Sequence, residues 1–185
     1  MRSALIIGFG NPLRGDDGLG WHAAQELRKT LTGEDAEVIA CLQLMPELAE
    51  AVAHSKRVIF IDAAVGEPAG EVKLAELEPA PTGLQACSHH FDVRRLMQYS
   101  RELYGIVPQA FSVSVNGEAY GFAERLSAPV QSALPAVLRL ARNLAVHGWP
   151  DMAGVQRRDA VSVGRGPRSW AGSRRGQVRV ARRDR

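Results

Sequence analysis

Residues 4–20 read Ala4-Leu5-Ile6-Ile7-Gly8-Phe9-Gly10-Asn11-Pro12-Leu13-Arg14-Gly15-Asp16-Asp17-Gly18-Leu19-Gly20. An apolar run that stops at a glycine-rich turn predicts a buried parallel strand. The face formed by Leu19, Ala23, Leu27 and Leu31, with Ala24 beside it, predicts a helix directly afterwards. A strand feeding a helix through a tight loop is the repeating unit of an α/β fold.

The same alternation continues along the chain. Residues 37–42 read as a second strand, and Pro46, Leu48 and Val52 as a short helix. Residues 58–61, Val-Ile-Phe-Ile, make a third strand that stops at Asp62. Residues 71–77 alternate, with Val72 and Leu74 pointing one way, and a loop covers 78–88. Asp92 is placed to cap a helix carrying Val93, Leu96, Met97, Leu103 and Tyr104. Phe111, Val113 and Val115 alternate with serines in a fifth strand. Ser127 and Pro129 open a last helix with Val130, Leu134, Val137, Leu138, Ala141 and Leu144 inward, and Pro135 is expected to kink it. The order predicts a three-layer α/β sandwich around a mostly parallel, twisted, five-stranded sheet. The 63–70 connection is too short for a crossover helix, so the fourth strand is expected to run antiparallel, at an edge.

Composition sets the outer limits. The chain has 185 residues, 45% of them hydrophobic and 23% charged, which is ordinary for a globular protein. No apolar stretch is long enough to span a bilayer, and the N-terminal run is too short for a secretion signal. Cys41 and Cys87 are too few for a disulfide scaffold and lack zinc-ligand spacing. A cytoplasmic monomer without membrane or nucleic-acid partners is therefore expected. The net charge of +3 hides a division. Residues 150–185 carry ten Arg against three Asp, whereas residues 1–149 carry 13 basic against 17 acidic side chains. The expectation is one domain over 1–149 and a basic, disordered tail over 150–185. Trp170 alone stands among its arginines, short of the aromatic interleaving of a nucleic-acid-binding surface.

The first loop does not suit a dinucleotide. Leu13 stands where the fingerprint needs glycine, Cys41 stands where it needs an acid, and Asp16 and Asp17 would repel a pyrophosphate. Two adjacent acids ahead of a helix fit capping for one of them and leave the other over. Asp62 ends an apolar strand and has no charged neighbour in sequence. In parallel sheets, strand carboxyl ends form the ligand crevice at the switch in strand order. If strands one and three are neighbours with strand two outside, Asp17 and Asp62 face each other there. The loop 78–88 reaches about 36 Å at ~3.3 Å per residue, so His89 or His90 can return to the same edge. His22, His54 and His147 are assigned to packing or solvent. Two carboxylates and one imidazole from separate loops make an open oxygen–nitrogen site for a divalent transition metal. No nucleophile elbow is present, and neither cysteine has a catalytic context.

These residues resemble the [NiFe]-hydrogenase maturation endopeptidases. The likeness rests on Gly8-x-Gly10-Asn11-Pro12-Leu13-x-Gly15-Asp16-Asp17-Gly18-x-Gly20, on Asp62 after its strand, and on Ser88-His89 before a helix, and it covers roughly residues 3–146. Cys41-Leu42-Gln43 departs from the Asp-Gly-Gly of many members. The resemblance implies a peptidase that removes a C-terminal peptide from the hydrogenase large-subunit precursor after nickel insertion. It implies nickel recognition by Asp17, Asp62 and His89, the last chosen over His90 because Phe91 and Val93 follow it at the family's spacing. Nickel is expected to come from the substrate, and another divalent ion can occupy the same ligands. Asp16 and Asp17 are the candidate catalytic acids, either as base beside substrate-held nickel or as a pair acting alone. A metallochaperone-like protein that senses nickel without cleaving is the alternative.

Overall fold

The computed structural model describes residues 2–31, 36–79 and 92–148, together with two short backbone strands at 161–162 and 178–180. Five strands form the body of the sheet: β1 (Arg2–Phe9), β2 (Ala36–Cys41), β3 (Ser55–Val65), β4 (Val72–Leu77) and β5 (Gln109–Gly117). Their spatial order is β2-β1-β3-β5-β4, parallel except for β4, which runs antiparallel to β5. Strands one and three are thus neighbours with strand two outside, and the switch in strand order falls between them.

Helices cover both faces, as the apolar periodicity requires. On one face, α1 (Leu19–Thr30) and α4 (Ala128–His147) bury Leu19, Ala23, Leu27, Val130, Val137 and Leu144 against Ile6, Ile59 and Phe111. On the other, α2 (Leu48–Ala53) and α3 (Val93–Tyr104) bury Val52, Val93, Leu96 and Met97 against Leu5, Ile7 and Phe60. Strands β1, β3 and β5 are buried on both faces, which is why they read as apolar runs. Asp92 caps α3 as expected, its Oδ1 accepting from the Arg95 amide at 2.8 Å. Leu103 and Tyr104 depart from the predicted inner face: both are exposed, because the buried side of α3 ends at Ser100. Pro135 lies inside α4, which is one continuous element through it.

Two further differences bear on function. Strand β3 does not stop at Asp62 but continues to Val65. Its pairing with β1 ends at Gly8↔Ile61, whereas its pairing with β5 runs on from Asp62↔Ser114 to Val65↔Gly117. Small residues after Asp62 gave no strand signature, yet the β5 ladder extends them. In the tail, the described residues are not without structure: β7 (Val178–Val180) pairs antiparallel with Val72, Lys73 and Leu74 of β4, and β6 (Val161–Ser162) pairs with β7. The outer edge of β4 offers unpaired backbone groups, which an alternating Val-Arg-Val segment can satisfy. No helix among the described residues is long and apolar enough to cross a membrane.

The two described strands of the tail, Val161–Ser162 and Val178–Val180, add only to the outer edge of the sheet beyond β4. Removal of residues 150–185 is therefore expected to shift the melting temperature by less than about 4 °C, equivalent to roughly 1 kcal/mol at this size. A calorimetric scan of the 1–149 chain against the full chain tests it, and a larger loss would show that the tail is part of the fold.

Candidate functional site

The loop after β1 tightens into a 3-10 turn, Gly15–Gly18, that leads into α1. Gly10 has φ 128°, and a Cβ there would run into the Asp17 carbonyl, so the loop can fold back only on glycine. Neither acid of the turn caps α1, whose N-cap is Gly18 without a side-chain bond. The two carboxylates point to different places and do different work.

Asp16 is fully buried. Its Oδ2 accepts from the amides of Glu118 and Ala119, each at 2.9 Å, and its Oδ1 from the amide of Ser127 at 2.7 Å. Burial pushes this carboxyl up, but the amides of Ser127, Ala119 and Glu118 outweigh it and hold the group below its ordinary value. The backbone reinforces the tie: Gly15 N–H donates to Ala123 O at 2.7 Å, Asp16 N–H to Ala119 O at 2.8 Å, and Ala123 N–H to Leu13 O at 3.0 Å. Asp16 is therefore an anchor that clamps the 118–127 segment and the start of α4 onto the acid loop. A carboxylate with both oxygens engaged and a lowered pKa is a poor base.

Asp17 is half-buried, and its Oδ2 accepts from the Asn11 amide at 3.0 Å. Asp62 lies on β3, in the first position past the end of the β1 ladder, and its Oδ1 accepts from the Ala63 amide at 2.7 Å. Burial pushes the Asp62 carboxyl up to about 7 against the bond from Ala63, and the Asp17 charge adds to the rise. The two acids thus share one electrostatic environment at the switch between β1 and β3, as expected from the strand order. His89 and His90, predicted to complete this site, lie outside the described residues, as does Cys87.

Among the described residues, no group of three or more His, Cys, Asp and Glu side chains is placed to hold a metal ion. Asp17 and Asp62 are two side chains, fewer than a metal site built from this chain alone would use. Burial pushes the Cys41 thiol up, away from the nucleophilic thiolate. His54 and His147 sit at the amino end of the sheet, where α2 and α4 terminate, and His22 packs edge-on against Trp21. His54 and His147 thus lie away from the acids, whereas His22 stands against the acid turn, its Cδ2 3.3 Å from where a Cβ on Gly18 would be.

One neighbour escaped the sequence reading. Tyr120, in the segment that Asp16 clamps, donates its hydroxyl to Ala64 O at 2.7 Å. A tyrosine in a polar loop carries no signature of such a contact, which depends on the fold of a segment 56 residues away.

Two outcomes follow for the acids. Asp16→Ala removes the buried carboxylate that accepts from three part-buried amides and is expected to cost about 3 kcal/mol, read as a lower urea midpoint. Loss of less than about 1 kcal/mol would show that the clamp is not a main tie. For Asp62, a carboxyl whose pKa is higher in the folded state stabilises fully below about pH 4. That contribution is lost as pH rises through about 7. Asp62→Asn removes the loss, so the variant should be more stable than the parent at pH 8, by at most roughly 4 kcal/mol at ~1.4 kcal/mol per pH unit. The advantage should shrink as pH falls toward 4. Urea unfolding at both ends of that range tests the sign; an advantage that does not vary with pH would contradict it.

No protein-family model and no curated protein matches the chain. Solved structures do resemble it. A [NiFe] hydrogenase maturation protease, HycI, from Thermococcus kodakarensis KOD1 aligns with a TM-score of 0.60 at 23% identity over 77% of this chain and 90% of its own. The hydrogenase maturating endopeptidase HybD from E. coli aligns with a TM-score of 0.65 at 22% identity, covering 78% of this chain and 92% of its own. The hydrogenase 2 maturation peptidase from Thaumarchaeota archaeon SCGC_AB-539-E09 aligns with a TM-score of 0.60 at 21% identity, covering 79% of this chain and 100% of its own. At these identities the likeness establishes a shared α/β fold.

Proposed function

We propose that the chain is an endopeptidase that removes a C-terminal peptide from a [NiFe]-hydrogenase large-subunit precursor once nickel is in place. The observation that carries this reading is the pairing of Asp17 with Asp62 at the switch in strand order, in a fold shared with proteins described as hydrogenase maturation proteases. The motif around residues 8–20 supports it independently of the fold.

Nickel in this scheme is cargo of the substrate. Asp17 and Asp62 offer it oxygen ligands, with His89 as the imidazole, and the precursor supplies the rest. An open set of this kind suits inspection of a metal that another protein holds. Hydrolysis needs a base for water at the scissile carbonyl, and Asp17 fits that role better than Asp16, because Asp16 is saturated by backbone amides. Asp62, with a pKa near neutrality, can take up or release a proton beside it. A polypeptide substrate also needs a surface to lie on. Leu13, Leu42, Met45, Val65 and Phe122 are large apolar side chains left exposed on the loops and strand ends after β1, β2, β3 and β5, with Val65 and Phe122 at 89% and 87%. All five lie at or follow the carboxyl ends of parallel strands, the sheet edge that also carries the acids. We take the working form to be a cytoplasmic monomer.

The test mixes metal-free enzyme with precursor loaded with nickel, with zinc, or with no metal, and follows precursor mass. Cleavage only of the nickel-loaded form is expected. Asp17→Ala, Asp62→Ala and His89→Ala should each abolish it while circular dichroism stays that of the parent. Cleavage of the nickel-free precursor would remove metal sensing. Tight binding to the nickel form without a change in mass would replace the peptidase with a nickel-sensing, metallochaperone-like binding protein.

A further inference from the structure

The 118–127 segment does more than close the fold, because it delivers one side chain to the acids. Tyr120 is half-buried in an otherwise exposed loop. Its hydroxyl donates at 2.7 Å to the carbonyl of Ala64, two residues beyond Asp62 on the part of β3 that has left β1 behind. Past Ile61 that stretch is paired only to β5 on one side, so its other edge lacks the ladder that fixes the rest of the strand.

The phenol reaches this position because Gly117 has no side chain. A Cβ on Gly117 would stand 2.6 Å from the Tyr120 oxygen and 2.8 Å from the Asp16 Cβ. Gly117 is also the β5 partner of Val65, so the phenol lies over the point where β5 and the end of β3 meet the Asp16 anchor. Burial pushes the Tyr120 hydroxyl up, against a backbone bond from Gly117, and the charges of Asp16, Asp62 and Asp17 all add to the rise. The phenol is therefore a neutral donor that feels the charge of all three carboxylates.

We propose that Tyr120 is a positioning residue: by donating to Ala64 O, it fixes the β3 extension that carries Asp62 against the clamped loop that carries Asp17. The bond joins two elements that no other described side-chain bond connects directly. Asp16 holds the 118–127 segment to the Asp17 loop, and Tyr120 passes that constraint on to the Asp62 strand. Two carboxylates that repel each other separate unless both backbones are held. The consequence for catalysis rests on the reading of Asp17 and Asp62 as the working acids, whereas the mechanical claim does not.

Tyr120→Phe keeps the ring over Gly117 and removes only the hydroxyl. Amide hydrogen exchange of the full-length variant should rise at least fivefold at Ala63, Ala64 and Val65, with β1 and α4 unchanged and the melting temperature within about 4 °C of the parent. In cleavage of nickel-loaded precursor, kcat should fall about tenfold with KM within twofold. A residue that served stability alone would lower the melting temperature and leave kcat unchanged well below it. Unchanged exchange at 63–65 overturns the proposal, as does an unchanged kcat. If the parent protein does not cleave the precursor, the proposed function fails while hydrogen exchange still decides the role of Tyr120.

Discussion

The buried carboxylate of Asp16 is the constraint on which the rest of the site depends. It collects three backbone amides from residues 118, 119 and 127, more than a hundred positions away, at 2.7–2.9 Å. A charge taken out of water is costly unless its lone pairs are satisfied, and charge-assisted bonds to amides are the strong kind. In a 3-10 turn, three residues complete one revolution, so consecutive side chains leave about 120° apart. Once Asp16 is committed inward, Asp17 must leave in another direction. The orientation of the functional acid is in this way a by-product of the structural one.

The strand order then decides what Asp17 meets. Pairing of β1 with β3 ends one residue before Asp62, and β2 lies on the far side of β1. The crevice at this switch belongs to the carboxyl ends of two adjacent strands. Burial and the charge of Asp17 both oppose ionisation of Asp62. A fold selected for stability alone would not put two acids there, since one neutral side chain would relieve the repulsion. The two apolar layers, one behind α1 and α4 and one behind α2 and α3, are extensive enough to hold the acids together at that cost.

Much of this was legible in the sequence because it rests on local pattern. Apolar runs at 4–7 and 58–61 marked strands buried on both faces, Asp92 marked the start of α3, and the short 63–70 connection required an antiparallel β4. The same alternation brought Asp17 and Asp62 to one edge. The role of Asp16 was not legible, because its partners are backbone amides and an amide has the same identity in every residue but proline. The extension of β3 past Asp62 was hidden for a related reason: Ala63 and Ala64 have little strand preference, and the β5 ladder supplies it. Leu103 and Tyr104 continued the apolar period of α3 beyond the point where the sheet was there to receive them. His89 lies outside the described residues, so its place rests on the motif alone.

The start of α4 shows how the anchor also replaces an ordinary local device. Ser127 stands at the N-cap, where its own hydroxyl would normally accept from a first-turn amide, yet it makes no such cap bond. Instead its amide donates to Asp16, so that a carboxylate from the far end of the domain faces the positive end of a 20-residue helix dipole. That arrangement stabilises the charge on Asp16 and the helix end together, which a serine hydroxyl could not do as strongly. It also means that α4, the longest of the described elements, is joined directly to the turn that carries Asp17. Small movements of the acid loop are then resisted by a whole helix packed along the sheet, not by one turn of loop. The geometry of the crevice is in this sense held from outside it.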